Sequence, residues 1–131
     1  MSAWPVLVTL GALAFYFWTG IEVARARVKY NIKAPAISGN PDFERTFRVQ
    51  MNTLEWMPLF LGSLWICAMY WDPRITALIG AVWIVGRVIY MHGYSVAAEQ
   101  RSMGFTVQAI TVLVLFIGGL VGAIMSLING A

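Results

Sequence analysis

One segment of the chain carries charged side chains directly into an apolar run. Residues 43–55 include two arginines, two glutamates and Asn52, and the following stretch from Trp56 to Trp71 has no charge. Ionisable groups at the edge of a bilayer are costly, so they are rare and usually face a bundle interior or a polar cavity. A helix that begins in this way is expected to bind something charged.

Polar side chains fall on one face of each of two predicted helices. At about 100° per residue, one set shares a sector of about 80° on the second helix: Arg45, Arg48, Asn52 and Glu55. Gln50 lies nearly opposite. Another set shares about 60° on the third helix: Arg87, Tyr90, Tyr94 and Arg101. Both faces should meet at the same end of the bundle, because the second helix begins and the third helix ends on that side of the membrane.

The excess of positive charge on these faces favours an anionic ligand. Four arginines would face the central carboxylate of Glu55, with Glu44 at the rim. Guanidinium groups suit carboxylates, a carboxylate suits an ammonium, and amides and hydroxyls suit peptide units. Glutathione carries all of these groups and a thiol. Other acidic peptides would also fit, and nucleotides fit less well because the chain has no glycine-rich phosphate loop.

The alternative is that these charges only stabilise the bundle. Arg48 could pair with Glu55, or Arg87 could pair with Glu55, and neither pair would then need a ligand.

The composition is that of a membrane protein. Of 131 residues, 60% are hydrophobic and 11% are charged, with a mean hydropathy of +0.72, whereas a soluble domain carries about 25% charge. A spanning helix needs roughly 20 mainly apolar residues, so the sequence predicts four helices, at about 5–29, 41–70, 74–100 and 103–128. Asn40-Pro41 and Asp72-Pro73 predict the starts of two of them. We expect one all-α domain over residues 1–131, an integral membrane four-helix bundle.

Basic residues predict the orientation in the membrane. Only Arg74 flanks one side, whereas the other side receives Arg25, Arg27, Lys29, Lys33, Arg45, Arg48 and Arg101. We therefore expect the polar faces on the cytoplasmic side of a multi-pass protein and both termini on the opposite side. The net charge of +3 reflects this asymmetry and does not indicate a nucleic-acid partner. No metal cofactor is expected.

Several segments together resemble a known family. They are residues 24–30, 35–42, 43–55, 58–60 and 87–94, followed by Arg101 seven positions later. Their spacing across two helices resembles the membrane-associated proteins in eicosanoid and glutathione metabolism, the MAPEG family. The branch that holds type-two microsomal glutathione transferases and leukotriene C synthase is the most similar. The resemblance covers about residues 21–104, and the first and last helices match only as apolar spans.

The resemblance implies a homotrimer that binds glutathione, as a co-substrate, between neighbouring protomers. In this family the position of Arg101 stabilises the glutathione thiolate, so Arg101 is the expected catalytic residue. The glutathione-binding residues expected from the same subunit are Arg48, Asn52, Glu55, Trp56, Arg87, Tyr90 and Tyr94. Trp56 stands where leukotriene C synthase has a tyrosine. Gln50 and Arg27, or Arg25 in place of Arg27, are expected to reach in from the neighbour.

A membrane-bound glutathione S-transferase acting in detoxification is therefore the expected function. It would conjugate lipophilic electrophiles that arrive from the membrane lipid, or reduce lipid hydroperoxides as a peroxidase side activity. Lowering a thiol pKa from about 8.5 to about 6.5 requires about 2.7 kcal/mol, which one guanidinium in a partly desolvated site can supply.

Two other functions are compatible with four short helices. One is a non-catalytic lipid-binding scaffold of the same family, which would not need Arg101 beside Arg48 and Tyr94. The other is a small multidrug transporter, which would place a carboxylate near the middle of the first helix, whereas Glu22 lies near its end.

Overall fold

The computed structural model describes residues 1–130, apart from the side chains of residues 95, 98 and 100. It contains four α-helices: α1 (Trp4–Tyr30), α2 (Pro41–Tyr70), α3 (Pro73–Val96) and α4 (Ser102–Ile128). A short 3₁₀ helix, Ala98–Arg101, joins the last two. The helices pack into one bundle in which α2 contacts each of the others, and the described residues form no strand. The predicted all-α four-helix bundle is thus confirmed.

Among the residues that the structure describes, three stretches of helix are long and apolar enough to cross a membrane. They are α1, the Pro73–Tyr94 part of α3, and α4. The 30-residue α2 is not among them, because its first half carries the charged residues between Asp42 and Glu55. The chain is an integral membrane protein, and the charges of α2 are confined to the first half of that helix.

The starts of α2 and α3 are fixed by side-chain caps. Asn40 Oδ1 accepts hydrogen bonds from the backbone N–H of Asp42 at 2.8 Å and of Phe43 at 3.2 Å. Asp72 Oδ1 accepts from the N–H of Arg74 at 2.8 Å. Each cap satisfies N–H groups that have no partner within the helix. Both predicted starts are therefore confirmed.

The third helix is shorter than predicted. It ends at Val96 instead of continuing to 100, because Ala97 is extended, with φ −161° and ψ 144°. The 3₁₀ helix then turns the chain into α4, and Gly104 comes directly against the backbone of Tyr90. A helix continuing to 100 would carry residue 104 away from Tyr90 and forbid this packing. The sequence predicted that Arg101 lies on the polar face of α3. Arg101 lies instead at the end of the 3₁₀ helix that follows α3.

Aromatic packing joins α2, α3 and α4 in the core. The rings of Phe60 and Trp83 stack with centroids 4.0 Å apart and an interplanar angle of 6°. Trp83 Nε1 donates to Gln108 Oε1 at 3.0 Å, and all three side chains are fully buried. A buried tryptophan with its N–H satisfied adds specific geometry to a large apolar contact. This packing fixes α2, α3 and α4 relative to one another.

Candidate functional site

A cavity of about 470 Å³ lies where α2, α3 and the start of α4 meet. Ligand sites usually have volumes of about 300–1,000 Å³. The wall formed by α2, α3 and the 3₁₀ helix is charged and polar: Arg48, Asn52, Tyr90, Tyr94 and Arg101. The wall formed by α4 is uncharged: Ser102, Phe105 and Thr106. Five residues predicted for the site therefore line one cavity.

Arg101 reaches the cavity from the 3₁₀ helix. Its Cζ lies 5.5 Å from the centroid of the Tyr94 ring, and the rings of Tyr94 and Tyr90 are 5.5 Å apart. Arg101 is also the residue that precedes α4, whose N-terminus has no side-chain cap. The guanidinium and the positive end of the helix dipole therefore lie together, and both favour an anion.

Arg87 lies behind the cavity instead of lining it. It is completely buried, and its Nη1 donates to Asn52 Oδ1 and its Nη2 to Thr53 Oγ1, both at 2.7 Å. Its Cζ is 4.4 Å from the centroid of the Tyr90 ring. Because Asn52 and Tyr90 line the cavity, Arg87 orients two residues of its charged wall through neutral partners.

The expected group of four arginines around Glu55 does not form. Glu55 Oε1 lies 3.8 Å from Arg48 Nη2, and these side chains are 63% and 53% exposed. Arg87 bonds to Asn52 and Thr53, and Arg45 forms an ion pair with Asp42. An exposed ion pair contributes about 0–1 kcal/mol. The pair of Arg48 and Glu55 therefore leaves both side chains available to a ligand at little cost.

Gln50 and Arg27 lie on the side of the bundle where α1 and α2 meet. A Cβ on Gly20 of α1 would come 3.4 Å from Gln50 Nε2. Arg27 Nη1 donates to the carbonyl of Ala36 at 2.7 Å, and its Cζ lies 5.0 Å from the Phe43 ring centroid. Arg25, the alternative, pairs with Glu22 at 3.1 Å. Neither arginine lines the cavity, and the predicted role of Gln50 and Arg27 in the site of a second subunit stays a prediction.

The α4 wall was not predicted from the sequence. Ser102, Phe105 and Thr106 belong to an uncharged block, in which no charge or spacing marks them. Trp56 contacts this wall, with its ring 5.6 Å from that of Phe105 at 82°. Thr53, which accepts a hydrogen bond from Arg87, was missed because it is uncharged and lies outside the polar sector predicted for α2. Within residues 1–130, no group of three or more His, Cys, Asp or Glu side chains is placed to hold a metal ion.

Comparison with known proteins gives the family. The model of the MAPEG family matches residues 5–121. The uncharacterized protein sll1147 of Synechocystis sp. is 46% identical over 124 residues, covering 95% of this chain and 90% of the relative. Microsomal glutathione S-transferase 2 of Homo sapiens is 40% identical over 101 residues, covering 76% of this chain and 69% of the relative. Leukotriene C4 synthase of Cavia porcellus is 36% identical over 94 residues, covering 72% of this chain and 63% of the relative. The chain therefore belongs to the MAPEG family.

Proposed function

We propose that this protein is a membrane glutathione transferase that ionises the thiol of bound glutathione and adds the sulfur to a lipophilic electrophile. The observation that carries the proposal is the convergence of Arg48, Asn52, Tyr94 and Arg101 on one cavity from three separate segments. The names of two relatives, microsomal glutathione S-transferase 2 and leukotriene C4 synthase, support it.

Each polar group of glutathione has a suitable partner near the cavity. Arg48 is a bidentate donor for a carboxylate, and the adjacent carboxylate of Glu55 suits the ammonium. Asn52 and the Tyr90 hydroxyl can bond to peptide groups. Asn52 presents its amide in one orientation because its oxygen accepts from Arg87. The glutathione backbone would thus be held along the charged wall, with its thiol near Arg101.

Arg101 is the group proposed to stabilise the thiolate. A guanidinium is positively charged and donates hydrogen bonds directionally, and the N-terminus of α4 adds positive potential at the same place. A thiolate beside both would be favoured over the thiol, which lowers the thiol pKa. Nucleophilic attack then needs no separate base at neutral pH.

The proposed assembly is a homotrimer with each site shared between neighbours. Gln50 and the pair of Arg48 and Glu55 occupy different faces of α2, and Gln50 lies between the other two along the helix axis. Polar groups on a face turned to lipid would be costly. A ring of protomers lets one face of α2 serve its own site and the other face serve the neighbour's. Gln50 and Arg27 would then complete the glutathione site of the next subunit.

The cytoplasmic side is the proposed location of the site, because the basic residues concentrate at this end. Lipophilic electrophiles dissolve in the bilayer and would meet the thiolate at its polar edge. Lipid hydroperoxides could reach the sulfur by the same path, so peroxidase side activity is part of the proposal.

A glutathione-binding and conjugation assay on the purified protein in lipid vesicles tests this function. We expect saturable glutathione binding and formation of thioether products, measured by mass spectrometry, well above the rate in empty vesicles. Vesicles with the Arg101→Ala variant are the matched control. Glutathione binding without any thioether product would favour the lipid-binding scaffold, and no binding at all would refute the proposal.

A further inference from the structure

A second cavity, of about 500 Å³, forms an apolar groove between α1 and α3. The floor of the groove consists of small or partly buried side chains: Val8, Ala77, Ala81 and Ile84. The exposed side chains of Leu7 and Leu78 form its two rims. Residues 77, 81 and 84 follow one another at intervals of four and three, so they share one side of α3. The groove therefore runs along the axis of α3.

The groove has the length of one acyl chain in a single leaflet of the membrane. The ten residues from Arg74 to Ile84 rise about 15 Å along the helix, which is half of the hydrocarbon thickness of about 30 Å. Both α1 and α3 begin at the end of the groove where Trp4 and Arg74 lie. Tryptophan is enriched where a membrane meets water, so this end is at the membrane surface.

The Arg74 guanidinium is uncompensated at the open end of this groove. It makes no hydrogen bond or ion pair within the described part of the chain, and Asp72 bonds to the backbone N–H of Arg74 instead. Each of the other arginines has a carboxylate, carbonyl, amide or aromatic partner: Arg25, Arg27, Arg45, Arg48, Arg87 and Arg101. Charge complementarity therefore calls for an anion at Arg74.

We propose that this groove binds an anionic phospholipid, with its phosphate on Arg74 and one acyl chain along α3. A guanidinium can donate two parallel hydrogen bonds to a phosphate. A zwitterionic headgroup carries its own ammonium, whereas an anionic headgroup leaves Arg74 to neutralise the charge. The site lies at the end of α3 opposite the glutathione cavity, and it does not depend on the proposed transferase chemistry.

Retention of lipids by the full protein tests the contact with the headgroup. The protein is reconstituted with equal amounts of phosphatidylglycerol and phosphatidylcholine that carry the same acyl chains, and native mass spectrometry identifies the lipids that stay bound. The wild type should retain phosphatidylglycerol preferentially. Arg74→Gln should lower the ratio of the two lipids about fivefold. Arg74→Lys should keep most of the preference, because an ammonium also binds phosphate. Lys33→Gln removes an exposed positive charge outside the groove and should leave the ratio unchanged.

Filling the groove tests the seat of the acyl chain separately. Ala81→Leu adds bulk to the floor and should reduce retention of phosphatidylglycerol although Arg74 is unchanged. Ala14→Leu is the matched control, because it adds the same bulk to an exposed position of α1 that does not line the groove. Circular dichroism and the melting temperature in detergent check that each variant is folded.

Several outcomes would overturn this proposal. One is an equal lipid ratio in Arg74→Gln and the wild type, and another is an equal fall in Lys33→Gln. Unchanged lipid retention in folded Ala81→Leu would exclude an acyl chain from the groove. If Ala81→Leu instead changes the oligomeric state in the same spectra, a second copy of the chain covers the groove. None of these measurements depends on glutathione conjugation, so the proposed function is tested separately.

Discussion

Gly104 lies so close to Tyr90 that no other residue fits. A Cβ on Gly104 would come 2.2 Å from the backbone nitrogen of Tyr90 and 2.7 Å from the carbonyl oxygen of Gly86. Small residues allow this kind of backbone approach between membrane helices. The contact fixes the first turn of α4 against α3, and it thereby places Arg101, Ser102 and Thr106 in the lining of the same cavity as Tyr94.

Gly104→Ala should therefore disturb the site although residue 104 does not line it. The added methyl group meets backbone atoms, which cannot move aside as a flexible side chain can, and overpacking costs about 1–3 kcal/mol or more. We expect a lower apparent melting temperature in detergent and a weaker affinity for glutathione. Gly62→Ala is the control, because a Cβ on Gly62 meets nothing within 4 Å and alanine favours a helix. Similar effects of the two substitutions would show that the close contact has no special role.

The buried hydrogen bond from Arg87 to Thr53 should contribute measurably to stability. Arg87→Met and Thr53→Val each leave a buried polar group without its partner, at about 1–3 kcal/mol. Because both remove the same interaction, the double variant should lose less than the sum of the single losses. The apparent unfolding free energies of the wild type, the two single variants and the double variant give the coupling energy between Arg87 and Thr53.

Thr19→Val is a suitable reference for that experiment. Thr19 is as buried as Thr53, but its hydroxyl donates only to the carbonyl of Tyr16. If Thr19→Val and Thr53→Val destabilise the protein equally, and no coupling to Arg87 appears, the network does not stabilise the cavity.

Glu55 is proposed to bind the ammonium of glutathione, which a comparison of two ligands can test. Glu55→Gln should weaken glutathione binding severalfold but leave the affinity for an analogue without the amino group nearly unchanged. The fold should survive, since the ion pair with Arg48 is more than half exposed and such pairs contribute little to stability. Isothermal titration with both ligands decides the matter. An equal loss for the two would assign Glu55 a structural role instead.

Shared sites predict that inactive subunits can complement each other. A Gln50→Ala protomer keeps Arg101, and an Arg101→Ala protomer keeps Gln50. A site is therefore intact when the Gln50→Ala chain supplies its Arg101 and the neighbouring Arg101→Ala chain supplies its Gln50. Random mixing should produce this arrangement at about a quarter of the interfaces in a cyclic assembly. We expect conjugation activity to reappear when the two chains are co-expressed. Mixed oligomers without recovered activity, or a monomer that is fully active by native mass spectrometry, would contradict shared sites.

The sequence predicted the bundle and the charged wall for physical reasons that operate locally. Asn40 and Asp72 cap helices through their own backbone neighbours, and the spacing of Arg48 and Asn52 alone places them on one face. Charges within an apolar block are conspicuous because burying them is expensive. Such features need no knowledge of distant contacts.

The remaining features depend on tertiary packing that periodicity does not reveal. Nothing in residues 97–100 marks a helix end, and the break at Ala97 is explained by the docking of Gly104 on Tyr90. Arg101 nevertheless reaches the cavity, by a turn instead of by the face of α3. Glu55 was expected to face several arginines, but Arg87 donates to Asn52 and Thr53 instead. The sequence does not predict these bonds, because only the folded bundle brings the three residues together.

Thiolate formation at Arg101 is the central claim, and ultraviolet absorbance of the thiolate measures it directly. At neutral pH, glutathione bound to the wild-type protein should show strong thiolate absorbance, and free glutathione only a few per cent of it. Arg101→Ala should lose most of this signal while still binding glutathione by equilibrium dialysis, and Arg101→Lys should recover part of it, because an ammonium lacks the planar fork of a guanidinium. Equal thiolate absorbance in Arg101→Ala and wild type, at equal occupancy by glutathione, would contradict the account.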